Sequence, residues 1–106
     1  MSFTVTAELV DGISKITLIG ELDSASGPKL QEEISRLALN PPKELVLFVK
    51  ELNFMASAGL RMIVFAKQKL GSNVPIYMVE PQSQVVETLT MTGFIQSVHI
   101  VDKYPI

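Results

Sequence analysis

In Phe54-Met55-Ala56-Ser57-Ala58-Gly59-Leu60 a hydroxyl stands between an apolar, strand-like run and a helical pattern. At the start of a helix the first backbone N–H groups lack intrahelical partners and the helix dipole presents partial positive charge. A serine oxygen is therefore stabilised there, and so is a phosphate carried on it. Ala58 and Gly59 add almost no bulk beside Ser57, which leaves the hydroxyl open to a kinase active site. The same residues also admit a purely structural account, in which Ser57 caps the helix and Gly59 lets it pack closely on a sheet. Nucleophilic catalysis by Ser57 has little support, because a serine nucleophile needs a base within hydrogen-bond reach. The single histidine, His99, falls in a distant strand pattern, and no Gly-x-Ser-x-Gly elbow surrounds Ser57. Glu21 and Asp23 read as a solvated turn and a helix cap rather than an acid–base or Mg²⁺ pair. The glycines are scattered among turns and caps, so the chain has no phosphate loop and any nucleotide must come from a partner. Arg61, one turn beyond Ser57, is placed to meet a phosphate or an acidic partner surface.

These residues need elements to hold them. Phe3 to Leu9 and Ile13 to Ile19 alternate in polarity around Asp11-Gly12, which predicts an antiparallel hairpin. Asp23, Ser24 and Ser26 offer caps for a first helix with Pro28 in its first turn. Leu30, Ile34, Leu37 and Ala38 form the apolar stripe of that helix, and Asn40-Pro41-Pro42 closes it. Glu44 to Val49 reads as a strand buried on both faces, as in parallel sheets. A helix over about Ser57 to Leu70 follows, its end marked by Lys67, Lys69 and Gly71. Met55 is placed in the loop before it, partly exposed, whereas Met62, Met78 and Met91 read as core filling. Val74 to Val79 predicts another strand. Gln82 to Thr92 predicts a shorter helix with Val85, Val86 and Leu89 inward and Gly93 as its stop, and Val98 to Val101 predicts a last short strand. Recurring strand, helix and strand imply right-handed crossovers in an α/β fold: a mixed sheet opened by an antiparallel hairpin, otherwise largely parallel, with about three helices.

Composition narrows the classes of function. A chain of 106 residues with 47% hydrophobic content predicts one domain over residues 1–106 with a single core. A formal net charge of −2, with both signs mixed along the chain, gives no footprint for nucleic acid or an anionic membrane. The absence of cysteine removes disulfides and thiolate metal sites. The opening residues lack a secretory pattern and no apolar run approaches spanning length, so a cytoplasmic location is expected.

Gly20-Glu21-Leu22-Asp23 together with Leu52-Asn53-Phe54-Met55-Ala56-Ser57-Ala58-Gly59-Leu60 resembles the STAS domains of anti-sigma factor antagonists, in order and spacing along nearly the whole chain. The resemblance implies a STAS-like fold and places Ser57 at the family's phosphoacceptor position. Gly59 and Leu60 match the end of the motif, and Ala58 is an accepted variant. Ala56 departs from the pattern, standing where the family usually has an aspartate. Asp23 matches the aspartate of the Gly-Glu-Leu-Asp segment, whose loop lies near the phosphorylation site in such folds. Further implications are a partner surface over Asp23, Ser24, Met55, Ala56, Ser57, Ala58, Gly59 and Arg61, an anti-sigma factor serine kinase as partner, and a serine phosphatase that resets the switch. No cofactor is implied for this chain, since ATP and Mg²⁺ belong to the kinase. Relatives usually continue into another helix near the C-terminus, whereas Asp102-Lys103-Tyr104-Pro105-Ile106 predicts none. A protein-interaction module that is not regulated by phosphorylation is the alternative, and Ala56 is its support.

Overall fold

Asp11 and Gly12 both take positive φ, 53° and 80°, the backbone that a two-residue hairpin turn requires. In the computed structural model, which describes residues 2–105, this turn joins β1 (Phe3–Val10) to β2 (Ile13–Leu22) as an antiparallel pair. The remaining strands are β3 (Glu44–Phe48), β4 (Leu52–Met55), β5 (Ile76–Val79) and β6 (His99–Val101). The helices are α1 (Gly27–Leu39), α2 (Ser57–Leu70) and α3 (Ser83–Thr92), with a 3₁₀ turn over Phe94–Ser97. Sheet order is β1-β2-β3-β5-β6, and every pairing except the hairpin is parallel.

β2 is long enough to serve two partners. Ile13 to Thr17 run beside β3, and Gly20 to Leu22 run beside β4 after a register shift between Gly20 and Glu21. At that shift Gly20 has φ +104° and donates its N–H to the Glu51 carbonyl at 3.0 Å. β4 was not foreseen: only four residues long, with Asn53 inside it, it has no periodicity of its own and exists because β2 continues past β3.

Alternation along the strands separates two faces. Ile16, Leu18, Leu45, Leu47, Ile76 and Met78 point to one side, and the buried residues of all three helices join them there: Leu30 and Ile34, Leu60, Ile63, Ala66 and Leu70, Val85 and Leu89. On the opposite face Val46 is fully buried while Glu44 and Phe48 are half-buried, so β3 is covered on both sides only at its centre.

Several sequence expectations shift. β5 begins at Ile76 rather than Val74, and β6 at His99 rather than Val98. Met91 is 80% exposed rather than core, because it lies off the Val85–Leu89 stripe, and Val86 is only half-buried. α1 starts later than Asp23. Its N-cap is Ser26, whose side chain does not cap it, and Pro28 occupies the first turn.

Candidate functional site: the start of α2

α2 begins at Ser57 itself, with Ala56 as N-cap in an extended conformation, φ −81° and ψ 166°. Ser57 is therefore the first helical residue and not the cap, and no side chain caps the helix. The N–H groups of Ser57, Ala58 and Gly59 have no acceptor within the helix, and the first turn carries no acidic residue. Ser57 is exposed, Ala58 half-buried and Arg61 exposed; among the described residues Arg61 forms no ion pair. A hydroxyl at the positive end of a 14-residue helix, beside open N–H donors, is a place where added negative charge is stabilised.

Gly59 and Ala56 fix how α2 meets the sheet. A Cβ on Gly59 would stand 2.3 Å from the Leu22 carbonyl oxygen, so only glycine allows the approach. That same oxygen accepts the Ala56 N–H at 2.9 Å. The last residue of β2 thus lies directly under the first turn of α2, and Asp23 is the next residue in the chain.

Asp23 is not the helix cap the sequence predicts. Its Oδ1 accepts the backbone N–H groups of Ala25 and Ser26, each at 3.0 Å, and the Ser26 hydroxyl lies 3.1 Å away. Ser26 Oγ also donates to the Glu21 carbonyl at 2.7 Å and accepts the Asp23 N–H at 2.9 Å. The bond from the Ser26 N–H, only partly offset by desolvation, holds the Asp23 carboxyl below its ordinary range. Asp23 therefore rigidifies the turn ahead of α1. Ser24 is exposed on that turn, and a hollow beside it is lined by Phe3, Glu21, Asp23, Ala25, Ser26 and Lys29.

Met55 corrects another expectation. It is fully buried as the last residue of β4, so its side chain offers nothing to a partner. The exposed apolar side chains here are Phe54, 40% exposed, and Met91 of α3. With Met55, Ala56, Ser57, Gln84, Thr88 and Thr92 they line a shallow groove that opens at Ser57. Phe54 belongs to the stretch the sequence singles out, whereas Gln84, Thr88 and Met91 reach the site only because α3 meets β4 in the fold. No group of three or more histidine, aspartate or glutamate side chains able to hold a metal ion occurs among the described residues. No helix among them is long and apolar enough to cross a membrane.

The family model for the STAS domain matches residues 4–104. The chain belongs to the STAS-domain family. RsfB, an anti-sigma-F factor antagonist of Mycobacterium tuberculosis, is 28% identical over 92 residues, covering 87% of this chain and 75% of RsfB. The crystal structure of an anti-sigma factor antagonist from Mycobacterium paratuberculosis superposes with a TM-score of 0.87 at 24% identity, covering 97% of this STAS domain and 88% of that chain. The antagonist SpoIIAA in its unphosphorylated form gives a TM-score of 0.79 at 19% identity, over 92% of this chain and 87% of its own. SpoIIAA of Bacillus also has a structure in the phosphorylated form, with a TM-score of 0.70 at 17% identity over 93% and 90% of the two chains. The mixed sheet and three helices are thus the STAS fold.

Proposed function

We propose that this STAS domain is an anti-sigma factor antagonist that works by partner switching, acting as a binding surface and not as a catalyst. In its unphosphorylated form it binds an anti-sigma factor serine kinase and so frees the sigma factor. The observation that carries this reading is the exposed Ser57 at the first position of the uncapped α2, on the groove lined by Phe54 and Met91. The antagonist names of RsfB and SpoIIAA, and the existence of SpoIIAA in a phosphorylated form, support it.

Phosphorylation of Ser57 by the partner, using the partner's own ATP and Mg²⁺, adds about −1.5 to −2 charges. The helix N-terminus accommodates that charge in the free protein. In the complex the same dianion must be desolvated against a surface built for a neutral hydroxyl, and the loss of complementarity releases the kinase. A serine phosphatase restores the binding form. Of the surface implied by the resemblance, the exposed and half-buried residues Asp23, Ser24, Ala56, Ser57, Ala58 and Arg61 remain candidates for contact. Gly59 acts through the close approach it permits.

The test has two arms. Intact mass and fragmentation of the protein from its native cells are expected to place a phosphate on Ser57. In binding to the cognate kinase, Ser57→Asp is expected to weaken the complex at least tenfold, whereas Ser57→Ala retains it and abolishes phosphate transfer. Equal binding by wild type and both variants would sink the switch. A second reading, an interaction module without phosphorylation, is favoured by Ala56, which leaves the residue before Ser57 without a carboxylate. It predicts an unmodified Ser57 under every growth and stress condition.

A further inference from the structure

β4 is hydrogen-bonded to a strand on one side only, through β2. At Met55 the other side is taken by the side chain of Gln84, which comes from α3. The Met55 N–H donates to Gln84 Oε1 at 2.8 Å, and Gln84 Nε2 donates back to the Met55 carbonyl at 3.2 Å. One carboxamide thus supplies the acceptor and donor that a neighbouring peptide group would supply in a sheet. The two bonds also fix which end of the amide is oxygen, since only oxygen accepts the Met55 N–H.

Thr88 braces the arrangement from one turn further along α3, on the same face of the helix. Its Oγ1 lies 3.1 Å from the Met55 carbonyl, 3.2 Å from the Gln84 carbonyl and 3.2 Å from Gln84 Nε2. The hydroxyl has one proton, so it donates to one of the two carbonyls while accepting from the amide. Gln84 and Thr88 are both half-buried, and an unpartnered Met55 peptide there would be costly.

Ser57 makes no side-chain hydrogen bond among the described residues. Its position is set by the main chain, held after it by the close approach at Gly59 and before it by the Ala56 bond to Leu22 and the Gln84 clamp on Met55. We propose that Gln84, braced by Thr88, is a positioning residue for Ser57: it holds the β4–α2 junction so that the hydroxyl stands at a fixed place against the α3 groove. This rests on Ser57 as the phosphoacceptor, and it makes α3 part of how the kinase finds the site.

The test is amide hydrogen exchange by NMR on the whole protein in wild type, Gln84→Ala, Gln84→Glu and Gln82→Ala, followed by phosphate stoichiometry at Ser57 in native cells. Gln84→Ala is expected to speed exchange of the Met55, Ala56 and Ser57 amides at least tenfold while Ile16 and Leu47 keep their protection. Gln84→Glu retains an acceptor for the Met55 N–H and is expected to rescue part of that protection. Gln82 bonds Lys50 and Asn53, upstream of the junction, and its loss is expected to leave the three amides unchanged. An Ala56 and Ser57 that do not respond to Gln84→Ala overturn the proposal, and so does a uniform loss of protection, which assigns Gln84 to general stability. If wild type carries phosphate and Gln84→Ala carries as much, the clamp has no bearing on recognition and is overturned while the switch stands. If wild type carries none, the switch falls, and the exchange data alone decide the clamp.

Discussion

Ala56 stands where the resemblance implies an aspartate, and the fold gives that difference a measurable consequence. The residue occupies the N-cap of α2 with φ −81° and ψ 166°, the extended backbone from which an aspartate, asparagine or serine oxygen reaches the N–H groups of the first turn. An alanine there leaves those donors to solvent. It also leaves the positive end of the helix without a compensating carboxylate, since the first turn holds no acidic residue. Ala56→Asp is therefore expected to raise stability by about 1 kcal/mol near neutral pH. The gain should shrink as the new carboxyl protonates in acid, because the neutral form caps less well and does not answer the dipole. Urea unfolding of both proteins at pH 7 and pH 3 reads the difference. No gain at pH 7 would mean that the cap geometry is not available to a side chain.

Elements, rather than single residues, decide where that helix end sits. The close approach of α2 to the end of β2 leaves no room for a Cβ at position 59, whose nearest neighbours would be the Leu22 carbonyl oxygen at 2.3 Å and the Leu22 carbonyl carbon and Cγ at 2.8 Å. Backbone is what stands in the way, and backbone cannot swing aside as a flexible side chain does. Gly59→Ala is expected to cost about 1–3 kcal/mol by overpacking and to lengthen the Ala56 to Leu22 hydrogen bond; thermal unfolding and the Ala56 amide shift measure the two effects. An unchanged melting temperature would show that α2 can slide. The sequence made much of this scale legible. α2 is marked by its apolar spacing and by Lys67, Lys69 and Gly71, and the hairpin by Asp11-Gly12, because such signals are local. β4 was hidden for the opposite reason: its pairing depends on β2 running on past β3, and nothing within Leu52–Met55 records that. Met55 was misplaced along with it. Asp23 reads as one of three possible caps because the hydrogen bonds of a cap and of the turn that precedes α1 use the same residue types. Gln84 and Thr88 were invisible as site residues, since their partner is the peptide of Met55, 29 and 33 residues away.

Across the whole molecule the helices cover one face of the sheet, and the other face is closed in part by the residues after β6. A row of neighbours crosses that outer face, Glu8, Lys15, Val46, Tyr77 and His99, each in register with the next. Tyr77 stacks on His99 at 5.0 Å between ring centroids and meets the Tyr104 ring at 5.5 Å. The Lys15 ammonium lies 5.9 Å from the Tyr104 ring centroid, and the Tyr104 hydroxyl donates to the Glu44 carboxylate. The segment around Tyr104 thus packs on the outer face beside the row that includes the fully buried Val46, without a helix among the described residues beyond Val101. The hydrogen bond to Glu44, with desolvation second, pushes the Tyr104 phenol up to about 12 from its ordinary 10.0. The folded protein therefore holds this proton more tightly than the unfolded chain does. The stabilisation is fully present below pH 10 and is lost as pH rises from 10 through about 12. Tyr104→Phe is expected to cost at most about 1 kcal/mol at pH 8, as one partly exposed hydrogen bond, and the two proteins should converge in stability above pH 12. Absorbance titration separates this contact from general alkaline unfolding. Of the two tyrosines, one is expected to ionise near pH 12 in wild type, and that step should disappear in Tyr104→Phe and move down in Glu44→Gln. A wild-type titration complete by pH 11 would mean that the tail does not hold Tyr104 against Glu44 in solution.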